Sequence, residues 1–299
     1  MFTGCGTALV TPFRKDLSLD EEALRRLVRR QIQAGINFLV PCGTTGESPT
    51  LTSAEQRRVV EITIEEAQPR NVPVLAGAGG NNTAHIIEMA REFQAMGANG
   101  ILSVAPYYNK PTQEGLYQHY EAIAFAISLP IILYNIPGRT GVNIEPATVA
   151  RLAEIDNIVG VKEASGNISQ MGVVLDLVPS KFLVLSGDDA ITLPLMALGG
   201  KGLVSVSSNE IPAEMTRLVE LALQNDFSAA RAIHRRYFKL MEVNFIETNP
   251  GPVKAAMALM GLLEPVFRLP LVAPKPESLA KIRSALEAVG LVQQVYAAR

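Results

Sequence analysis

One unit recurs eight times along the chain: a short apolar run, a break rich in Gly, Pro, Ser, Thr or Asn, and a longer stretch of helical periodicity. The apolar runs predict buried parallel strands at residues 6–10, 37–40, 72–76, 100–104, 131–134, 158–161, 182–185 and 203–206. The periodic stretches predict helices at residues 19–34, 53–67, 83–96, 112–127, 146–155, 169–177, 191–198 and 212–223. Eight such units in succession predict an α/β fold, a (β/α)8 TIM barrel.

The last part of the chain carries helical patterns without strands, at residues 228–242, 252–263 and 276–289. We therefore predict a barrel at residues 1–223 and a C-terminal helical bundle at residues 224–299, packed on the barrel. Within the barrel, Ser53 three residues before Gln56 predicts a capping box at the start of the second helix.

An open, doubly wound sheet is the alternative architecture, and it normally carries a glycine fingerprint after its first strand. Here Thr11-Pro12-Phe13 follows the first apolar run. The glycine-rich stretch after the third run has Asn82 where a third glycine belongs. We therefore do not expect a dinucleotide site there.

Composition narrows the class of protein. Hydrophobic residues make up 48% of the 299 residues and charged residues 19%, enough for a sizeable core. A net charge of −2, with both signs mixed along the chain, argues against nucleic-acid binding. There is no secretory pattern in the first twenty residues and no apolar run of membrane-spanning length, so we expect a cytoplasmic protein. Cys5 and Cys42 are expected to be buried free thiols, and the three histidines show no metal-ligand spacing.

Lys162 is the most informative single residue, since it ends the sixth apolar run. Active sites of such barrels lie at the C-terminal ends of the strands. Desolvation disfavours the ammonium form of a buried lysine, and a neutral amine attacks a carbonyl carbon to give a Schiff base. The alternative is that Lys162 pairs with a carboxylate such as Glu163.

Hydroxyls and a cation follow the second and the fifth apolar runs. Thr44 and Thr45 lie between glycines after the second run, where they suit either an anion or an ordinary glycine turn. Tyr134 ends the fifth run, with its hydroxyl near the rim. Arg139 follows on a loop, and its guanidinium suits a carboxylate or, alternatively, backbone carbonyls.

Other residues after the strands have plainer interpretations. Tyr107 and Tyr108 follow the fourth run and are typical of aromatic packing at a loop or a subunit contact. Asp188 and Asp189 follow the seventh and are interpreted as helix N-caps, because no third residue has the spacing of a metal ligand. The turn after the eighth run, residues 207–209, offers hydroxyls but not the glycines of a phosphate site. An amine, several hydroxyls and a cation on different rim loops favour a carbonyl substrate that carries a carboxylate.

Seven motifs carry a resemblance over essentially the whole chain: GTALVTPF, GTTGESPTLT, APYYNKPTQEGLYQHY, YNIPGRTG, VGVKEASGN, SGDDA and ETNPGPVKAAM. The chain resembles the dihydrodipicolinate synthase branch of the N-acetylneuraminate lyase superfamily. The resemblance implies condensation of pyruvate with L-aspartate-4-semialdehyde in the diaminopimelate pathway to lysine. It implies no cofactor, only a covalent lysine–pyruvate imine, and a homotetramer built as a dimer of dimers.

The resemblance also assigns roles to residues of the matching motifs. Lys162 would form the Schiff base, Tyr134 would move protons beside it, and Thr44 would link Tyr134 to Tyr108 of a neighbouring subunit. The residues implied at the substrates are Thr45 and the backbone of Val204 for pyruvate, Arg139 for the carboxylate of the semialdehyde, and Gly187 as a further substrate-binding residue.

An inhibitory lysine site is common in this branch, and Ser48, Asn81 and Tyr107 match it. Ser53 and Gln56 stand where lysine-inhibited bacterial members typically carry histidines. His85 stands where they carry a glutamate that would pair with the ammonium group of lysine. We therefore predict weak or absent feedback by lysine.

Two other functions stay open from the sequence. One is another pyruvate-dependent aldolase or a keto-sugar-acid dehydratase of the same superfamily, against which Arg139 and Thr45 argue. The other is a catalytically silent protein that senses a ligand, although a sensor does not require a nucleophilic amine.

Overall fold

The computed structural model describes residues 1–293, in which eight strands alternate with helices. The strands are β1 Gly4–Ala8, β2 Phe38–Val40, β3 Leu75–Gly77, β4 Gly100–Val104, β5 Ile131–Asn135, β6 Ile158–Glu163, β7 Leu183–Ser186 and β8 Gly202–Ser205. All the pairings between neighbouring strands are parallel, in the order β2-β1-β8-β7-β6-β5-β4-β3. A parallel bridge between Leu39 and Val74 joins the two ends of this order and closes the ring. The predicted (β/α)8 barrel is confirmed.

Twelve α-helices lie between and after these strands within residues 1–293. Their bounds are α1 Glu21–Gln33, α2 Ser53–Ala67, α3 Thr83–Ala95, α4 Gln113–Ala126, α5 Pro137–Thr140, α6 Pro146–Leu152, α7 Ile168–Leu177, α8 Thr192–Ala197, α9 Pro212–Leu223, α10 Phe227–Val243, α11 Gly251–Leu259 and α12 Pro276–Ala288. No helix in this part of the chain combines the length and the apolar character needed to cross a membrane.

Several local predictions were wrong, and among them β3 begins at Leu75, three residues later than predicted. The capping box of α2 uses Thr52 and Glu55, one residue before the predicted pair, because the Thr52 hydroxyl accepts from the Glu55 N–H. The loop that carries Arg139 is a single helical turn, α5, opened by Pro137. The first strand lies two residues earlier than predicted, since the chain turns away from the sheet before Thr11-Pro12.

Strand alternation divides the core into two layers. Side chains that point into the barrel form an inner cluster, which includes Ile132, Tyr134, Leu185 and Val204. Side chains that point outward, such as Leu133, pack with the helices in a larger outer cluster. Lys162 shares the inward register of Tyr134 because the two residues are direct partners across β5 and β6. The fold therefore brings an amine and a phenol side by side inside the ring.

The helices after β8 share the outer core with the barrel. Tyr237 and Leu240 of α10, Ala256 of α11 and Leu286 of α12 are buried in the same outer cluster as residues of the barrel helices. The division of the chain at residue 223 stays a prediction.

Candidate active site

Lys162 and Tyr134 form the centre of the site. Both are 5% exposed, and the Lys162 Nζ lies 4.1 Å from the centroid of the Tyr134 ring. β6 extends to Glu163, so Lys162 lies within the strand and not beyond its end. Two parallel strands therefore hold the amine and the aromatic ring in fixed register at the C-terminal end of the barrel.

Glu163 is not the partner of this amine. Its carboxylate is fully buried and accepts hydrogen bonds from the Ser165 N–H at 2.7 Å, Asn135 Nδ2 at 3.1 Å and Gln170 Nε2 at 3.2 Å. Adjacent residues of a strand point to opposite faces, so Glu163 faces away from the barrel interior. Among residues 1–293, Lys162 makes no salt bridge.

The loop after β2 presents Thr44 and Thr45 to the site. The N–H groups of Gly46 and Glu47 donate within the loop, to the carbonyls of Gly43 and Thr44, both at 3.1 Å. The N–H groups of Thr44 and Thr45 donate to no other group within the described chain. An anion at this loop would therefore meet the amides and hydroxyls of the two threonines.

Arg139 lies on α5, and its Nη2 donates to the backbone carbonyl of Asn249 at 3.2 Å. The Asn249 side chain donates from Nδ2 to the Thr45 Oγ1 at 3.0 Å. Asn249 itself is 4% exposed. It was missed as a site residue by the sequence reasoning, although it belongs to the ETNPGPVKAAM motif. The fold alone brings it beside two of the predicted residues.

Gly187, which follows β7, lies beside the lysine, and Val204 lies on β8 in the inner cluster. A Cβ on Gly187 would lie 3.0 Å from the Lys162 Cε and 2.6 Å from the Ala164 Cβ, so only glycine leaves room for the lysine stem. The Gly187 N–H donates to the Glu163 carbonyl at 2.8 Å and is therefore occupied. Val204 is fully buried in the inner cluster.

Tyr108 is separated from these residues within one chain. Its side chain is 89% exposed, and its φ of 72° lies in the left-handed region. Tyr107, on the same loop, lines a cavity beside Tyr134 and Thr44. Between Thr44, Tyr134 and Tyr108, the described chain contains no side-chain hydrogen bond, so the predicted link among them stays a prediction.

A cavity of about 430 Å³ opens beside Tyr134, Thr44 and Arg139 and continues between the loops after β2, β3 and β4. Lys162, Thr45, Gly187 and Val204 are not among the residues that line it. The residues predicted for an effector site, Ser48, Asn81 and Tyr107, also line this cavity, as do Gln56 and His85, two of the residues that depart from the lysine-inhibited pattern.

A buried ion pair holds the end of the loop at residues 43–47, whose sequence is GTTGE. The sequence did not predict this pair. The Lys254 Nζ lies 2.5 Å from the Glu47 Oε1, and both side chains are fully buried. Lys254 also donates to the Val266 carbonyl at 2.8 Å and lies over the Phe13 ring. Burial lowers the pKa of Lys254, and the Glu47 carboxylate opposes that shift.

The prediction that Asp188 and Asp189 cap a helix was wrong. Helix α8 follows Ile191 and has no side-chain cap. Asp189 is buried and accepts from the Ser205 hydroxyl and from the N–H groups of Val206 and Ser207, so it holds the turn after β8. Within residues 1–293, no cluster of three or more His, Cys, Asp or Glu side chains has the arrangement of a metal site.

Comparison with known proteins agrees with this geometry. The model of the dihydrodipicolinate synthetase family matches residues 1–289. The chain belongs to this family. A 4-hydroxy-tetrahydrodipicolinate synthase of Chloroherpeton thalassium is 55% identical over 292 residues, which is 97% of this chain and 96% of the relative. The crystal structure of dihydrodipicolinate synthase from Aquifex aeolicus is 44% identical, with a TM-score of 0.95 over 98% of this chain and 100% of that one.

The resemblance inferred from the seven motifs is thus confirmed, and with it the predicted synthase function of an enzyme of this family. A third relative, dihydrodipicolinate synthase from Cyanidioschyzon merolae with lysine bound, is 41% identical, with a TM-score of 0.94 over 97% of this chain and 99% of that one.

In this chain, Gln56 Nε2 donates to the carbonyl and the hydroxyl of Ser48, at 3.0 and 3.1 Å. Asn81 donates to the Tyr107 carbonyl at 3.2 Å. Several polar groups of these cavity-lining residues are therefore already paired with one another.

Proposed function

We propose that the enzyme condenses pyruvate with L-aspartate-4-semialdehyde through a Schiff base on Lys162. The amine attacks the pyruvate carbonyl, and loss of water leaves an imine. Removal of a methyl proton gives the enamine, whose carbon attacks the aldehyde of the second substrate. The amino group of that substrate then closes the ring at the imine carbon and releases Lys162, giving 4-hydroxy-tetrahydrodipicolinate without a further cofactor.

Tyr134 is the proposed proton carrier. Its ring contacts the Lys162 amine, which supports a role for its phenol in proton transfer at the carbon that the amine would attack. A phenol has an ordinary pKa near 10, and hydrogen bonds that deliver protons in place offset part of the mismatch with neutral pH. Thr44 and Tyr108 would supply those hydrogen bonds, with Tyr108 coming from a second copy of the chain.

Pyruvate would be held by its carboxylate at the loop after β2. The N–H groups of Thr44 and Thr45, which donate to no other group within the described chain, and the two hydroxyls would bind it there, with Gly187 beside the lysine stem and the Val204 backbone also at pyruvate. Arg139 would hold the carboxylate of the semialdehyde, since a guanidinium forms charge-assisted hydrogen bonds with such a group.

Self-association as a homotetramer is supported by apolar side chains that one chain leaves exposed. Tyr108 is 89% exposed on one face, and Val173, Leu177 and Leu198 are 47%, 51% and 49% exposed near α7 and α8 on another. Sedimentation at equilibrium would test this proposal, and a mass of one chain at assay concentration would contradict it.

The cysteines support a proposed cytoplasmic location, since thiols stay reduced in the cytoplasm. Cys5 and Cys42 are both buried free thiols, as predicted. Burial raises the pKa of Cys5 and raises that of Cys42 to about 12, so neither is a ready nucleophile at neutral pH. Fractionation of the native organism would contradict this proposal if the protein were recovered outside the cytoplasm.

The burial of the Lys162 amine against Tyr134, without a carboxylate partner, is the observation that carries the proposed mechanism. The test is borohydride reduction in the presence of pyruvate, followed by mass spectrometry of the tryptic peptides. We expect an adduct on Lys162 alone and none in Lys162→Ala. An adduct at full yield in that variant would show that another amine reacts. Product formation with aspartate semialdehyde, and not with other aldehydes, would separate the synthase from an aldolase.

We propose weak feedback by lysine because of His85. This residue lines the cavity and lacks the negative charge that a glutamate would provide. Steady-state rates at increasing lysine concentration measure it. We expect little loss of rate below millimolar lysine, and we expect His85→Glu to increase the sensitivity. Strong inhibition of the wild-type enzyme at sub-millimolar lysine would contradict the prediction.

A further inference from the structure

Asn249 contacts two of the proposed substrate-binding residues with two different groups. It lies between α10 and α11, lines the cavity and is 4% exposed. Its side-chain amide donates to the Thr45 Oγ1 at 3.0 Å, across 204 residues of sequence. Its backbone carbonyl accepts from the Arg139 Nη2 at 3.2 Å. A single residue of the C-terminal segment therefore joins the loop after β2 to α5.

The direction of the first hydrogen bond matters for the chemistry. A threonine hydroxyl has one hydrogen to donate and two lone pairs to accept with. Because Asn249 donates to a lone pair, the hydrogen of the Thr45 hydroxyl stays available for a carboxylate. An acceptor in the place of the amide would instead draw that hydrogen away from the substrate.

The oxygen of the Asn249 amide argues that the side chain does more than fill space. Asn249 Oδ1 is buried and has no hydrogen-bond partner within residues 1–293. A buried unsatisfied acceptor costs free energy, which an apolar side chain of similar size would avoid. What the asparagine provides in exchange is the donor that faces Thr45.

We propose that Asn249 is a positioning residue that acts on pyruvate through Thr45, and that its backbone carbonyl separately orients Arg139. This inference rests on the proposed function, in which Thr45 binds pyruvate and Arg139 binds the semialdehyde. It predicts that changes of the Asn249 side chain affect one substrate and leave the other nearly unaffected.

The experiment measures the pyruvate concentration that gives half-maximal borohydride-trapped adduct, a readout that does not require the second substrate. The variants are Asn249→Ala, Thr45→Val, the two combined, and Asn249→Asp, with the thermal midpoint of each recorded without pyruvate. We expect Asn249→Ala to raise the half-saturating pyruvate concentration about 3- to 10-fold, the range of one neutral hydrogen bond. In the Thr45→Val background the same change should add less than about twofold, since the hydroxyl it acts through is gone.

Asn249→Asp keeps the size of the side chain but replaces the donor by an acceptor. We expect it to raise the half-saturating pyruvate concentration at least as much as Asn249→Ala, and it serves as the folded variant should the alanine variant not fold. In either variant, the KM for the semialdehyde should change by less than about twofold, because the carbonyl that Arg139 uses remains.

Equal effects of Asn249→Ala in the wild-type and Thr45→Val backgrounds would overturn the inference. So would a lowered thermal midpoint with unchanged pyruvate saturation, which is the signature of a structural role only. Absence of any adduct in the wild-type protein would overturn the proposed function, and this inference with it.

Discussion

Arg139 is the residue at which the two proposed substrates are best separated. Its guanidinium lies on α5 at the cavity and donates a hydrogen bond to the Asn249 carbonyl. A charge-assisted hydrogen bond contributes roughly 1.5–3 kcal/mol, and about 1.4 kcal/mol corresponds to a factor of ten. We therefore expect Arg139→Ala to raise the KM for aspartate semialdehyde by about 10- to 100-fold. Steady-state kinetics with each substrate varied in turn provides the measurement.

The matched control is Arg139→Lys, which keeps the charge but loses the planar fork of donors. Its effect on the semialdehyde should be intermediate, and pyruvate saturation should change little in both variants. If the two substrates were affected equally by Arg139→Ala, the assigned role of Arg139 would be wrong.

At the same scale, local pattern explains which residues could be predicted. Lys162 stands out because a lysine at the end of an apolar strand is unusual, and the motif around it is specific. Asn249 gives no such signal, since an asparagine before proline is typical of an ordinary turn. Its two contacts depend on residues 110 and 204 positions away, which only the closed barrel brings together.

Helix α11 anchors the loop that carries both threonines, through the ion pair between Lys254 and Glu47. Removing one partner of a buried pair leaves an uncompensated charge and typically costs about 3–5 kcal/mol. We expect Lys254→Met to lower the thermal midpoint by several degrees, as measured by calorimetry at fixed protein concentration. The double variant Lys254→Met/Glu47→Gln removes both charges and should recover most of the loss. A single variant as stable as the wild type would contradict this expectation.

Element boundaries show where periodicity stops being informative. The pattern predicts α2 within a residue, but it cannot decide between Thr52 and Ser53 as the cap, since both residues suit that position. Asp189 after β7 also suits a helix cap. It instead accepts from Ser205, Val206 and Ser207, because the closed sheet places the end of β8 beside it.

For the whole molecule, the eight-fold recurrence is enough to predict the closed barrel, because few other folds bury eight consecutive parallel strands. It is not enough to predict how copies of the chain meet. Tyr108 is exposed and is not among the residues that line the cavity. In the proposed mechanism a second copy supplies Tyr108 to the hydrogen-bonded link, and the strand pattern does not encode how that copy is arranged.

The stability of the whole molecule should depend on pH through Glu210, a fully buried carboxyl group between β8 and α9. Desolvation raises its pKa to about 8, the nearby Asp189 carboxylate adds to the shift, and the hydrogen bond from Asn244 Nδ2 at 2.7 Å opposes it. From about pH 4.5 to 8, the folded state then holds a proton that the unfolded state has released. The free energy of unfolding contributed by this group is therefore largest below pH 4.5 and falls as the pH rises through 8.

Glu210→Gln isolates this contribution, because the amide keeps the size of the side chain and accepts from Asn244 without titrating. Thermal midpoints of both proteins measured from pH 5 to pH 9 provide the test. We expect the variant to lose less stability than the wild type as the pH rises, and hence a difference between them that grows toward pH 8. Titrating groups that do not interact with Glu210 contribute equally to both profiles, so parallel curves would show that Glu210 does not hold its proton in the folded state.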